Sequence, residues 1–261
     1  MAVGLSLTTT PVMGVAADIG IPAQHPRPMS TALDPDVEEV RDAIERGFLA
    51  SDPAALARAR ATATVALGAA PNDALLLHYR GYAAFREATL RPGNANRKAR
   101  GALLDDAERD LTRSGELRPL PESTALLGAV AAQRITGALS MARFGFKAER
   151  LLDAAMELDA DNPRVWLLRG ISAFHKPSAF GGGMDRAAAD LTKAAALFAR
   201  EKPAADAPSW GRAETHAWLG RAHDARGRPE LARAEYATAL RLAPSYRWVR
   251  DELLPLLGAN R

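Results

Sequence analysis

Two separated stretches of this chain match at nearly every structural position, and that internal repetition constrains the fold more than any other feature. LHYRGYAAF at 77–85 and WLLRGISAF at 166–174 share Arg-Gly-x-x-Ala-Phe. Each is followed, after an interruption, by a second matching piece, DDAERDLTR at 105–113 and DRAAADLTK at 185–193. Repetition of this kind means stacking, because a unit too small to bury its own apolar face buries it on a copy. The unit reads as a helix pair, and its plainest copy is AETHAWLGRAHDARGRPELARAEYATALRLAP at 213–244. Small residues at Gly220, Ala232 and Ala239 let two antiparallel helices approach closely, while Leu219 and Tyr236 fill the space between them. Composition agrees: aromatics at only 6% within 48% apolar residues suit close-packed helices better than a thick sheet-based core.

This spacing resembles the tetratricopeptide repeat, a 34-residue helix–turn–helix with Leu-Gly and an aromatic on its first helix and Ala, aromatic, Ala and a closing Pro on its second. The same template falls on Gly47, Ala59, Ala63, Ala66-Leu67 and Pro71, then on Gly81, Ala107, Leu111, Ser114 and Pro119. It continues on Leu127-Gly128, Ala148, Leu152 and Ala155, and on Trp166, Gly170, Ala187, Leu191 and Ala194. The resemblance implies an all-α, right-handed α-solenoid of about five tetratricopeptide-like helix pairs plus a C-terminal cap helix. The units fall at about 40–71, 74–119, 121–160, 163–200 and 213–244, with the cap at 245–258. Insertions interrupt units two, three and four around 91–101, 136–146 and 175–185. The last of these holds Phe180 to Gly183, and in this it resembles exported bacterial proteins of the family, such as the T-components of TRAP-type transporters, in which a Phe-Gly-Gly loop splits a repeat.

Residues 1–35 precede the array as a signal-like or disordered leader. The start is apolar and uncharged, and Val15-Ala16-Ala17 looks like a signal-peptidase site, which would place the protein in the periplasm after cleavage near Ala17. The positive n-region is missing, and a disordered start on a cytoplasmic protein is the other reading. No stretch reaches the length of about 18 apolar residues that a membrane span needs. Absence of cysteine excludes disulfides, thiolate nucleophiles and Cys-ligated zinc.

No catalytic or metal-binding set assembles in the sequence, and no cofactor motif is present. His25, His78, His175, His216 and His223 form no His-Glu-x-x-His frame, and neither a Gly-x-Ser-x-Gly elbow nor a phosphate loop occurs. His223 takes the family's aromatic position, where core packing explains it. An enzyme or small-molecule site beneath the Phe180–Gly183 loop, using His175 and Asp185, is the alternative to a non-catalytic scaffold. Gly181-Gly182-Gly183 suits either a sharp re-entry capped by Asp185 or an anion cradle, and the re-entry is the simpler reading. The 34 basic residues are interleaved with 31 acidic ones, and Arg91, Arg97, Lys98 and Arg100 lack an aromatic platform, so nucleic acid is not the expected partner.

In such solenoids the first helices line the concave face, with inward positions at the second, fifth, ninth and twelfth or thirteenth residues of the unit. Here these include Ile44 and Phe48, then His78, Tyr82, Phe85 and Arg86, then Gln133, then Leu167, Ile171, Phe174 and His175. The candidate partner-binding residues are therefore Phe48, His78, Tyr82, Phe85, Arg86, Leu167, Ile171, Phe174 and His175, for a protein or peptide partner or an apolar small ligand. So apolar a groove is either covered by the three inserts or open to such a ligand, and burial of Tyr82, Phe85 and Phe174 distinguishes the two. Arg80 and Arg169 stand where the family carries buried Leu, and intra-repeat pairs with Asp110 and Asp190 are expected to compensate them.

Overall fold

The computed structural model describes residues 35–257 except 92, 94, 95, 203 and 205. The leader, with His25 and the cleavage site near Ala17, lies outside the described residues. Helix α1 (Pro35–Leu49) pairs with α2 (Pro53–Ala69), and α3 (Ala74–Thr89) with α4 (Arg97–Leu117). Helix α5 (Pro121–Gln133) pairs with α7 (Phe146–Leu158), the short α6 (Ala138–Ser140) lying between them in the chain. Further pairs are α8 (Pro163–His175) with α9 (Met184–Arg200) and α10 (Arg212–Ala225) with α11 (Pro229–Leu242). A cap follows, made of a π-helical turn Trp248–Leu253 and the short α12 (Leu254–Leu256). Among the described residues there is no strand, and no helix is long and apolar enough to cross a membrane.

Local chemistry sets the boundaries. Proline occupies the first turn of α2, α5, α8 and α11, where its missing N–H costs nothing. Asp52, Asp73 and Asn162 cap α2, α3 and α8 by accepting hydrogen bonds from backbone N–H groups at 2.9–3.0 Å. The glycines of the first helices mark the crossings: a methyl on Gly170 would stand 2.5 Å from Leu191 Cγ, and one on Gly220 would strike the Tyr236 ring. Any larger residue there would force the pair apart.

Arg80 forms the expected two-pronged bond to Asp110, Nε to Oδ2 at 2.6 Å and Nη2 to Oδ1 at 2.9 Å. The second expected pair does not form. Arg169 instead bonds Asp153 of the preceding unit at 2.8 Å, and Asp190 accepts from Arg186, 2.9 Å to each oxygen. The reason lies one turn back on the second helix. Unit four has Arg186 where unit two has Asp106, so Asp190 already finds a cation four residues away and Arg169 is released to α7.

The stack curls until its beginning meets its end. Leu49 belongs to a core cluster with Ala213, Ala217, Tyr236, Tyr246 and Val249, and the Phe48 and Tyr246 rings lie 5.9 Å apart. Arg247 Nη1 donates to the carbonyl of Ala50 at 3.4 Å across the same junction.

Candidate functional site

The inner face divides into a sealed half and an open half. In the sealed half His78, Tyr82, Phe85 and Arg86 are 0%, 3%, 5% and 3% exposed, and Leu167 is also buried. The inserts are not what covers them. Two of the three lengthen second helices: α6 runs through a π-helical turn into α7, and α4 already begins at Arg97. Their apolar side chains point outward, with Leu139 92% exposed and Phe146 and Phe180 mostly exposed. The cover is the connector between α9 and α10, which lays Trp210 into the groove. Its ring stacks 4.7 Å from Tyr82, and Tyr79 Oη accepts from the amide of Ser209 at 2.9 Å.

A directional hydrogen-bond chain fixes this arrangement. Trp210 Nε1 can only donate, so His78 Nε2 accepts (3.2 Å) and the proton of the neutral ring sits on Nδ1. Nδ1 then donates to Ser123 Oγ (2.9 Å), Ser123 to Ser114 Oγ (3.0 Å), and Ser114 to the carbonyl of Ala74 (2.8 Å). Every polar atom in the chain is satisfied, which makes it stable only while His78 is uncharged. Burial, helped by Arg164 and Arg118, pushes the His78 pKa down from 6.5 to about 3. Between those values the unfolded chain takes up a proton that the native chain refuses, so stability falls as pH drops from about 6.5 towards 3, by up to about 1.4 kcal/mol per pH unit. Urea denaturation at stepped pH is expected to show this slope in the wild type and a shallower one in His78→Gln; equal slopes would contradict it.

Beside this chain lies a buried ion pair that spans the curl. Arg86 Nη1 bonds Glu214 Oε1 at 2.8 Å, and Nη2 bonds the other oxygen. The guanidinium also lies over Phe48 at 4.0 Å and Tyr82 at 4.9 Å. A cavity of about 20 Å³, room for one water, remains between Phe48, Tyr82, Trp210 and Glu214.

The open half is formed by α8, α10 and the cap. Ile171 and Phe174 are half-buried and His175 is exposed. Phe174 and His175 each stand edge-on to Trp218 with centroids 5.4 Å away, and Trp248 lies 5.3 Å beyond Trp218. Arg221 lies over Phe174, Trp218 and Trp248 at 4.6, 4.8 and 5.5 Å. Partial desolvation of the ring by Phe174 and Trp218, which pack on it, and then the Arg221 charge lower the pKa of His175. Trp210, Glu214, Trp218, Arg221 and Trp248 did not emerge from the sequence reading, although Glu214 and Arg221 hold the second and ninth positions of unit five and the inward-position rule points at both.

His175 and Asp185 are not brought together as an acid–base pair: Asp185 bonds Arg226 at 2.7 Å while His175 packs on Phe174 and Trp218. Nor does Asp185 cap α9, whose N-cap is Gly183 at φ 101° with its amide bonded to the carbonyl of Ala173. His223 is half-buried. Among the described residues no three His, Asp or Glu side chains are grouped as metal ligands would be. Of the basic loop residues, Arg91 pairs with Glu87 and Arg100 with Gln133.

Antiparallel helix pairs with a glycine at each crossing, stacked into a curved array and closed by a cap, define a tetratricopeptide-type helical solenoid. Solved structures agree on that fold. The HusA haemophore from Porphyromonas gingivalis superimposes with a TM-score of 0.57 at 22% identity, over 70% of this chain and 92% of its own. The protein TTC0263, a thermophilic TPR protein in Thermus thermophilus, gives 0.56 at 18% identity, over 82% of this chain and 95% of its own. No family model matches the sequence, and no curated protein matches it.

Proposed function

We propose that this chain is a non-catalytic binding scaffold that holds a partner at the open half of its inner face and the neighbouring Phe180–Gly183 loop. One observation carries the reading: Ile171, Phe174, Trp218 and Trp248 are half-buried and His175 is exposed, whereas His78, Tyr82 and Phe85 of unit two are buried, with the chain's own Trp210 stacked on Tyr82. Exposed aromatic rings in a concavity are what a binding face requires. The fold supports this reading, since paired-helix stacks present extended concave surfaces. A companion retained by the wild-type chain in a pull-down or native mass spectrum should be lost with Phe174→Asp. It should be kept with Val65→Asp, a change on the outer helix α2 where Val65 is 78% exposed. Equal retention by both variants would refute the open half as the binding face.

A small ligand is the second form of this reading, favoured by the name of the haemophore that shares the fold. Export to the periplasm is a further part of the proposal and rests on Val15-Ala16-Ala17. A mature N-terminus at Asp18 supports it, and Met1 retained in the native protein removes it.

A further inference from the structure

Arg221 is held unlike the other half-buried cations of the molecule. Three aromatic faces take up its guanidinium, but no hydrogen bond or ion pair to a described residue takes up its N–H groups. Stacking satisfies the faces of a guanidinium and leaves its edge, with five N–H donors in one plane, free to bond. Glu214, the acidic residue two turns back on the same helix, is committed to Arg86. Burial disfavours the charge on Arg221, and a half-buried cation without a counter-ion is a cost that an incoming anion would relieve.

The size and chemistry of the surroundings restrict that anion. A planar guanidinium matches a carboxylate with two parallel N–H groups, one donating to each oxygen, whereas phosphate sites gather several cations or a helix N-terminus. His175, the other basic side chain in this cluster, has its pKa lowered below the ordinary 6.5 and adds no second positive charge at neutral pH. The walls are rings, with Phe174, His175, Trp218 and Trp248 linked by centroid distances of 5.3–5.4 Å, and flat faces of this kind select a flat apolar body.

We infer that the open half of the inner face binds a small aromatic carboxylate, with its rings against Trp218, Trp248 and Phe174 and its carboxylate accepting hydrogen bonds from Arg221. The inference rests on the binding-scaffold reading and adds the ligand class to it. Titration calorimetry of the full chain with naphthoate, its neutral amide naphthamide, and the cation naphthylmethylamine tests it. Naphthoate is expected to bind about tenfold to a hundredfold more tightly than the amide, the range a charge-assisted hydrogen-bonded pair supplies. Arg221→Gln should reduce naphthoate to the level of the amide while leaving the amide within about twofold of its wild-type affinity; Arg221→Lys should fall between, keeping the charge and losing the fork. Phe174→Leu should weaken both ligands. Acid and amide binding alike, tighter binding of the amine, no effect of Arg221→Gln, or no binding of naphthoate would each overturn the inference. Retention of a companion that depends on Phe174 does not involve this contrast, so the scaffold reading can survive failure of the carboxylate and is judged by its own experiment.

Discussion

Glu214→Gln is expected to destabilise the protein by about 3–5 kcal/mol, the largest loss from any isosteric change in the described chain. The substitution keeps the shape of the side chain and removes its charge, leaving Arg86 buried without a counter-ion. Phe48 and Tyr82 continue to stack on the guanidinium, but cation–π attraction of about 0.5–2 kcal/mol does not replace a fully desolvated ion pair. Trp218 Nε1, 3.4 Å from Glu214 Oε1, loses part of its acceptor as well. Chemical denaturation monitored by circular dichroism measures the change. Replacing both partners with apolar residues, Arg86→Met with Glu214→Leu, should recover most of the loss, because removing both charges removes the desolvation cost too. A single-variant loss below about 1 kcal/mol would show that the junction between α3 and α10 is hydrated in solution.

Trp210→Ala is expected to cost about 3–5 kcal/mol and, unlike the first change, to alter access as well as stability. The indole fills the groove against Tyr82 and is the donor to His78 Nε2, so its loss leaves a void and an unsatisfied acceptor together. Water entering that void would solvate His78 and raise its pKa from about 3 back towards 6.5. Two measurements check this: the His78 titration by NMR, and amide exchange in α3, where protection should fall. An unchanged His78 pKa would mean that the connector does not seal the groove.

Much of the array can be read from the sequence because its determinants are local and repeated. Gly170 and Gly220 recur where two helices cross, and proline recurs where one begins, so each unit declares itself. The Arg80–Asp110 pair was legible for the same reason, both partners lying within one unit. What spans units was not. Arg169 reaches back to Asp153, and nothing in the local pattern of unit four specifies the neighbour's α7. The seal was hidden more thoroughly, since residues 201–211 fall between units four and five, outside the repeat, and the role of Trp210 depends on the array curling far enough to bring it against His78 and Tyr82. Arg221 and Glu214 were within reach of the inward-position rule, but two charged residues on an apolar face become informative only when one is seen to be paired and the other not.

Contact between α1 and the segment after α11 has a consequence for how such a chain can change over time. An open array of this type tolerates duplication or loss of a unit, because every unit touches only its immediate neighbours. Here a unit gained or lost would carry Phe48 and Leu49 away from Tyr246, so that any such change would cost the contact between head and tail.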